Sequence, residues 1–320
     1  MGALRVDTAF ARGRTPWPHG GALEALDAVS RSAGPNLEAF VRAHGRALVH
    51  DMRLGMDRQG VGPGRLLDQR LRRADRDLDP DLARRAAIAG LALGLPARGP
   101  CRPLPDSIEA LYPRAYEALA ASLADDTSPY DSDSYAKDAR FVAGMSVPAG
   151  AQIVDIAFAQ GPRAGLRHLA QMGAMSGRLA IAGAGLAAAT QLFKGQGLGH
   201  WVEIHTDSRD LADFSEPGWD ACYRRIADLL ALNPDIAGMW GASWFYDPQL
   251  RTISPRLAYL QDRPLERGAV AIRLGEGDIH TRRAAQTSPT RADLIARGAY
   301  RPVCYALFWP RAALIAWAGR

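Results

Sequence analysis

Apolar residues in the first half of the chain recur every three or four positions, which is the spacing of an amphipathic helix. Residues 36–56 show this spacing through Leu37 and Val41, and Asn36 stands where a helix-capping residue is expected. The same reasoning predicts three further helices, at 64–76, 79–95 and 106–124. We therefore expect a helical N-terminal region that follows a flexible lead over residues 1–20.

Two irregular stretches interrupt the helical pattern and mark candidate domain boundaries. The stretch 95–105 contains four prolines, and the stretch 125–135 consists mostly of polar residues that favour turns. Neither composition can bury an apolar core. We therefore divide the chain into a helical region, 21–135, and a mixed region, 136–320.

The pattern changes to short β-rich runs from residue 141. Two such runs, 141–147 and 151–158, flank a Pro-Ala-Gly turn and predict a hairpin. Helices are expected at 163–174 and 177–193. Beyond them strands alternate with helices. The strands are predicted at 200–206, 236–245, 269–274 and 303–309, and the helices at 217–232, 254–263, 279–297 (interrupted by Ser-Pro-Thr at 288–290) and 310–318. This alternation predicts an α/β fold, with α+β as the alternative, in which helices flank a mixed, partly parallel sheet.

The length and composition indicate a folded chain of the size of an enzyme. The chain has 320 residues, of which 48% are hydrophobic and 23% charged, and it carries a net charge of +5. Lys137 and Lys194 are the two lysines among 39 basic residues, and the arginines are spread over the whole length. A protein that binds nucleic acid usually concentrates its cations on one element, so nucleic acid is not an expected partner.

Cysteine usage and the longest apolar run indicate the compartment. Cys101, Cys222 and Cys304 are far apart and form no C-x-x-C pair, so neither a disulfide framework nor a zinc knuckle is predicted. The longest apolar run, 179–193, has 15 residues, which is shorter than the roughly 20 needed to span a bilayer. We therefore expect a cytoplasmic protein without membrane association.

Ligands of a parallel sheet bind beyond the carboxyl ends of its strands, and this rule selects the residues to consider. Glu203, His205 and Asp207 follow one another at alternate positions along the strand at 200–206, so they can share one face. Three interpretations remain open. The group binds iron, zinc or manganese; or His205 is a general acid or base that a carboxylate orients; or Asp207 caps a turn and His205 is structural.

Other strand ends carry candidate substrate-binding residues. After the strand at 236–245 come polar and aromatic side chains that can stack on a ligand and hydrogen-bond to it. Arginines at or near the other ends are candidates for binding an anionic group. The predicted substrate-binding residues are Arg209, Ser243, Trp244, Tyr246, Asp247, Arg256 and Arg311, with the segments 273–278 and 288–291 as further candidates.

The order of elements from His200 onward resembles the GNAT acyltransferase superfamily, in which a strand, a helix and a second strand form the acyl-CoA half. A helix with a tyrosine that acts as general acid follows, and then two more strands. The corresponding segments here are WVEIHTD, GWDACYRRIADLL, IAGMWGASWFYD, SPRLAYLQDRPLERG, AVAIRL and VCYALFWP. The resemblance covers about the last 180 residues, matches the hairpin to the family's front strands, and implies that Tyr259 is the general acid.

The chain departs from this family at two points. The pyrophosphate-binding loop, Q/R-x-x-G-x-G/A, should follow the first of these strands, whereas the sequence there is TDSRDLADF and contains no glycine. An additional predicted helix, 279–297, separates the last two strands.

Three functions follow from these patterns. The first is GNAT-like acyl transfer from acyl-CoA to the amine of a small-molecule substrate, with Glu203 or His205 as base and Tyr259 as acid. An anionic substrate is one form of this hypothesis. The second is an iron- or zinc-dependent enzyme that uses Glu203, His205 and Asp207 as ligands. The third is a non-catalytic binder of an anionic partner through the arginines of 64–76 and of 84–85. The sequence leaves the oligomeric state open.

Overall fold

The computed structural model describes residues 20–59, 62–74, 77–157 and 200–319. The chain divides into two compact units, the first comprising Met1–Ala149 and Ile153–Ala157 and the second comprising Gly150–Gln152 and Phe158–Arg320. The predicted lead (except Gly20), the predicted helices at 163–174 and 177–193, and the apolar run at 179–193 lie outside the described residues. Among the described helices, none has both the length and the apolar character that a membrane crossing requires.

The described part of the first unit is mainly helical, as predicted. Its helices are α1 (Gly21–Ser32), α2 (Pro35–Gln59), α3 (Pro63–Ala74), α4 (Pro80–Arg98), α5 (Asp106–Glu109), α6 (Tyr112–Ala124) and α7 (Ser132–Val142). Helix α4 contacts five of the others. It does so because its small side chains, among them Ala87 and Ala89, are fully buried and allow close approach. Asp79 begins α4 by accepting hydrogen bonds from the backbone N–H groups of Asp81 and Leu82.

The predicted hairpin is present in the first unit, but it is shorter than the sequence indicates. Strands β1 (Ser146–Pro148) and β2 (Ile153–Asp155) pair antiparallel. The prediction of a strand from residue 141 is wrong, because α7 continues through Val142 and its Phe141 ring packs against two tyrosines of α6. The same helix begins inside the stretch that was expected to be irregular, where Asp131 caps it.

The described strands of the second unit form a mixed, partly parallel sheet flanked by helices, which confirms the predicted fold class. The strands are β3 (His200–His205), β4 (Ile236–Ser243), β5 (Val270–Glu276) and β6 (Val303–Pro310), and they lie in the order β3-β4-β6-β5. Strands β3 and β4 are parallel, and β6 is antiparallel to both of its neighbours. Strands β3, β4 and β5 therefore run in one direction and β6 runs in the other.

Helices and tight turns connect these strands. The helices are α8 (Glu216–Leu232), α9 (Leu250–Ile253), α10 (Tyr259–Glu266), α11 (Asp278–Gln286), α12 (Pro289–Ala296) and α13 (Arg311–Ala318), and the 3-10 turns are Ser208–Asp213, Trp244–Tyr246 and Pro255–Leu257. The helix predicted at 279–297 is divided in two at the expected interruption, because Ser288 caps a new helix with Pro289 in its first turn. The helix predicted from 254 begins at Tyr259.

The direction of β6 determines which strand ends can share a site. The carboxyl ends of β3, β4 and β5 lie along one edge of the sheet, which we call the carboxyl edge, whereas the end of β6 lies at the opposite edge. The segments that follow β3 and β4 meet at the carboxyl edge, since the Phe214 and Phe245 rings are 5.3 Å apart. The loop after β6, which carries the predicted substrate-binding residue Arg311, therefore does not lie with the loops that follow the other strands.

Candidate functional site

A histidine and a glutamate lie side by side at the end of β3. His205 Nε2 is 3.7 Å from Glu203 Oε1, as expected for residues two apart on a strand, and the two side chains are 25% and 12% exposed. The paired stretch with β4 ends at Glu203, so His205 extends beyond it. A half-buried imidazole beside a carboxylate can accept a proton from a substrate, because the carboxylate stabilises the imidazolium that forms.

Asp207 does not share this arrangement. Its carboxylate caps the following 3-10 turn through the backbone N–H of Arg209, and the Arg209 guanidinium donates to both of its oxygens, with an Nη2–Oδ2 distance of 2.6 Å. Asp207 is therefore neutralised by Arg209, and its geometry is that of the capping interpretation. The predicted catalytic or metal-binding role of Asp207 and the predicted substrate-binding role of Arg209 both require this pair to open.

Gln152, which belongs to the second unit, supports the site and was missed by sequence reasoning. Its side chain is 2% exposed, and Nε2 donates a hydrogen bond of 3.1 Å to the hydroxyl of Thr206, the residue after His205. This contact fixes the chain where β3 ends. A polar side chain next to the small residues Ala149, Gly150 and Ala151 was the one signal in the sequence.

The polar and aromatic residues after β4 are brought to the carboxyl edge, but they are buried. Trp244 and Tyr246 are each 3% exposed, and the Ser243 hydroxyl accepts a hydrogen bond from the backbone N–H of Phe245. Burial raises the pKa of Tyr246 well above its usual value. These residues pack beneath the surface at the carboxyl edge and present little surface on which a ligand could stack.

Asp247 organises the loop that follows. Its carboxylate is 1% exposed and accepts hydrogen bonds from the backbone N–H groups of Gln249 and Val303, both at 3.0 Å, and from the Tyr300 hydroxyl at 3.3 Å. Three donors, one from its own loop, one from the segment before β6 and one from the first residue of β6, satisfy this buried charge. The geometry is therefore that of a structural carboxylate.

Tyr259 lies at the start of α10. Its hydroxyl is buried and, among the described residues, has no hydrogen-bond partner. Burial, reinforced by the nearby Glu216 carboxylate, raises the pKa of this hydroxyl to about 12. Glu216 begins α8, directly after the segment that follows β3, so Tyr259 lies at the same edge of the sheet as His205. A protonated hydroxyl without a partner is suited to donate a proton to a ligand.

The two remaining predicted arginines differ in their surroundings. Arg311 lies at the opposite edge and donates hydrogen bonds to the backbone carbonyls of Leu230 and Asn233, where α8 ends. Its place at the first position of α13 is thus explained by the end of α8. Arg256 is exposed and makes no ion pair with any described residue.

Several arginines proposed to bind an anionic partner are engaged within the first unit. Arg84 forms a bidentate pair with Asp68, at 2.9 and 2.7 Å, and Arg70 pairs with Asp51. Arg85 is 6% exposed and donates to Asp81 and to four backbone carbonyls. These three side chains are therefore committed to internal contacts.

Comparison of the chain with protein-family models, with curated proteins and with solved structures finds no match. Fold class alone does not imply an activity. Among the side chains at the carboxyl edge, Glu203 and His205 form the contact with the clearest chemical capability.

Proposed function

We propose that the second unit transfers an acyl group from acyl-CoA to the amine of a small molecule. His205 is the general base, Glu203 orients it, and Tyr259 is the general acid. The observation that carries the proposal is the 3.7 Å contact between imidazole and carboxylate at the end of β3. It supplies a base at the carboxyl edge, where α/β sheets bind their ligands.

The chemistry requires a base and an acid at different stages. His205 takes a proton from the substrate ammonium, and the free amine nitrogen attacks the carbonyl carbon of the thioester. The C–S bond then breaks, and the sulfur leaves with its electron pair and takes the proton of Tyr259. The nitrogen, which carries a positive charge after its attack, gives its extra proton to the Tyr259 phenolate, so that the neutral amide forms and the hydroxyl is restored. Glu203 stabilises the imidazolium that His205 forms when it takes the proton. The raised pKa of Tyr259 keeps its hydroxyl protonated until the C–S bond breaks.

The order of elements also supports the proposal. Strand β3, helix α8, parallel strand β4, helix α10 with Tyr259, and strands β5 and β6 follow one another as the resemblance to the GNAT superfamily implies. Two differences remain. A 3-10 turn without glycine follows β3, and helices α11 and α12 separate β5 from β6. Backbone donors for the pyrophosphate of CoA would therefore have to come from another segment.

The experiment is an assay of thiol release from acetyl-CoA in the presence of a panel of amines. We expect His205→Asn to lower kcat/KM by roughly 10² to 10⁴, the usual contribution of a general base. Glu203→Gln and Tyr259→Phe should have smaller effects. Arg267→Gln is the matched control, because Arg267 is an exposed arginine of the same unit.

The proposal is wrong if no acyl-CoA binds or turns over, or if the His205 and Tyr259 variants are as active as the control. Binding of CoA is measured separately, by calorimetry. Loss of catalysis with intact CoA binding then distinguishes a chemical role from a collapsed site.

A metal-dependent enzyme is the second candidate, because Glu203 and His205 offer an oxygen and a nitrogen ligand close together. The engagement of Asp207 with Arg209 leaves the third predicted ligand occupied. Elemental analysis of the purified protein for iron and zinc separates the two candidates. Copurified metal whose removal abolishes activity would reassign both residues as ligands.

A further inference from the structure

Arg291 is a buried cation without an ionised partner among the described residues. Its side chain is 2% exposed. Its guanidinium donates to the Ala284 carbonyl at 2.9 Å, to the Ser254 hydroxyl at 3.2 Å and to the Thr287 hydroxyl at 2.7 Å. The guanidinium carbon also lies 4.9 Å from the centre of the Trp244 ring. These contacts accept three of the five N–H groups of an arginine, and none of them supplies a negative charge.

An unpaired charge inside a protein is costly, so its retention calls for an explanation. Asp247 is a buried carboxylate that contacts Tyr300 in the same apolar cluster, but it is satisfied by three donors, of which Tyr300 is one, and forms no ion pair with Arg291. Burial and the charge of Arg256 lower the pKa of the Arg291 guanidinium. An arginine nevertheless remains protonated at neutral pH.

A second unpaired arginine lies close to the first. Arg256 is exposed, and its charge acts on Arg291. Arg256 stands two residues after Ser254, and the Ser254 hydroxyl accepts a hydrogen bond from Arg291. The segments Ser-Pro-Arg at 254–256 and Ser-Pro-Thr-Arg at 288–291 therefore bring two like charges together. An anion bound between them would relieve their repulsion.

We propose that Arg256, Arg291 and the Ser254 hydroxyl bind the phosphate group of a small molecule. Two unpaired guanidinium groups match the charge of a phosphate, about −1.5 to −2 at neutral pH, better than the single charge of a carboxylate. Arg256 would contact the phosphate directly. Arg291 would act from beneath it, where its charge is weakly screened because it is buried.

The location agrees with a ligand-binding role. Ser254 follows α9, and Trp244 follows β4, so the cluster lies past the carboxyl end of β4. This assignment depends on the two arginines alone and does not require the proposed acyl transfer.

The test is calorimetric titration of the full chain with inorganic phosphate, in buffers of equal ionic strength. We expect saturable binding that weakens about tenfold or more in Arg256→Gln, equivalent to the loss of roughly 1.4 kcal/mol or more. Arg256→Lys should be intermediate, because it keeps the charge but loses the fork of donors. Arg267→Gln removes an exposed cation elsewhere in the unit and should leave the affinity unchanged.

Three outcomes would overturn the assignment. They are the absence of saturable phosphate binding, equal affinities in Arg256→Gln and the unmodified protein, and an equal loss in the Arg267→Gln control. Acetate is the comparison ligand, and acetate binding as tight as phosphate binding would contradict the phosphate assignment. The exposed Arg256 carries the test because replacing the buried Arg291 could prevent folding.

Discussion

Individual buried charges in the second unit are stabilised in different ways, and the difference separates structural from functional residues. Asp207 is paired with Arg209, and Asp247 accepts three hydrogen bonds from neutral donors. Arg291 has hydrogen-bond acceptors but no counter-ion among the described residues. The first two arrangements are complete, whereas the third leaves a charge that a ligand can use.

The three hydrogen bonds of Asp247 predict a large effect on stability. Asp247→Ala would leave the backbone N–H of Val303 and the Tyr300 hydroxyl buried without an acceptor, so we expect the free energy of unfolding to fall by about 2–4 kcal/mol. Urea denaturation measures this. Asp293→Ala, which removes one partner of an exposed ion pair, should change stability by less than about 0.5 kcal/mol. Similar losses in both variants would refute a structural role for Asp247.

The Tyr259 hydroxyl predicts a specific pH dependence. Its pKa is raised to about 12 in the folded chain, whereas an unfolded tyrosine ionises near pH 10. Its contribution to stability is therefore complete below about pH 10 and is lost as the pH rises towards 12. The ultraviolet absorbance of tyrosinate measures the ionisation, as the difference between the unmodified chain and Tyr259→Phe. A difference that titrates near pH 10 would show that the hydroxyl is accessible to water.

Elements were predicted well where one local signal dominates. Helices α2, α3, α4 and α8 follow their apolar spacing, and strands β3 to β6 follow their apolar runs to within a few residues. The expected cap of α2 is wrong, because the helix begins at Pro35 and Asn36 lies inside it. The extension of α7 through Phe141 was missed because β-branched and aromatic letters favour a strand locally, while packing on α6 favours the helix. The reversed direction of β6 was also missed. The alternation of strands and helices does not reveal the order of the strands in the sheet, and it is the position of β6 between β4 and β5 that makes it antiparallel to both.

The candidate site was predictable only in part, for related physical reasons. The contact between Glu203 and His205 follows from the two-residue repeat of a strand. The pairing of Asp207 with Arg209, the support from Gln152, and the burial of Trp244 depend on how separate segments pack. No local pattern encodes that packing.

The hydrogen bonds that Arg311 makes between two helices predict an effect on stability. Arg311 begins α13 and donates to the carbonyls of Leu230 and Asn233 where α8 ends. Arg311→Ala should lower the free energy of unfolding by about 1–3 kcal/mol, because it leaves carbonyls at the end of α8 without this charged donor. Thermal and urea denaturation measure this. Acyl transfer and phosphate affinity should not change, and a selective loss of either would restore a ligand-binding role for Arg311.

At the scale of the whole molecule, the arginines whose contacts are described mainly bind other parts of the same chain. Arg85 joins α4 to carbonyls of α6 and of the loop after it, and Arg53 joins α2 to the carbonyls of Gly99 and Ala143. A planar guanidinium suits this task because it satisfies several acceptors at once. A net charge of +5 is therefore a poor guide to the partner of this protein, whereas an arginine that lacks an acidic neighbour is a better one.

The place of β6 between β4 and β5 has a consequence for biosynthesis. Both neighbours hydrogen-bond to β6 rather than to each other, so neither completes its pairing on that side until β6 has been synthesised. Until then the nascent chain exposes the unpaired edges of an apolar strand and of a half-buried one, a condition that favours aggregation. We expect the sheet to close only after β6 has left the ribosome, with dependence on chaperones in the interval.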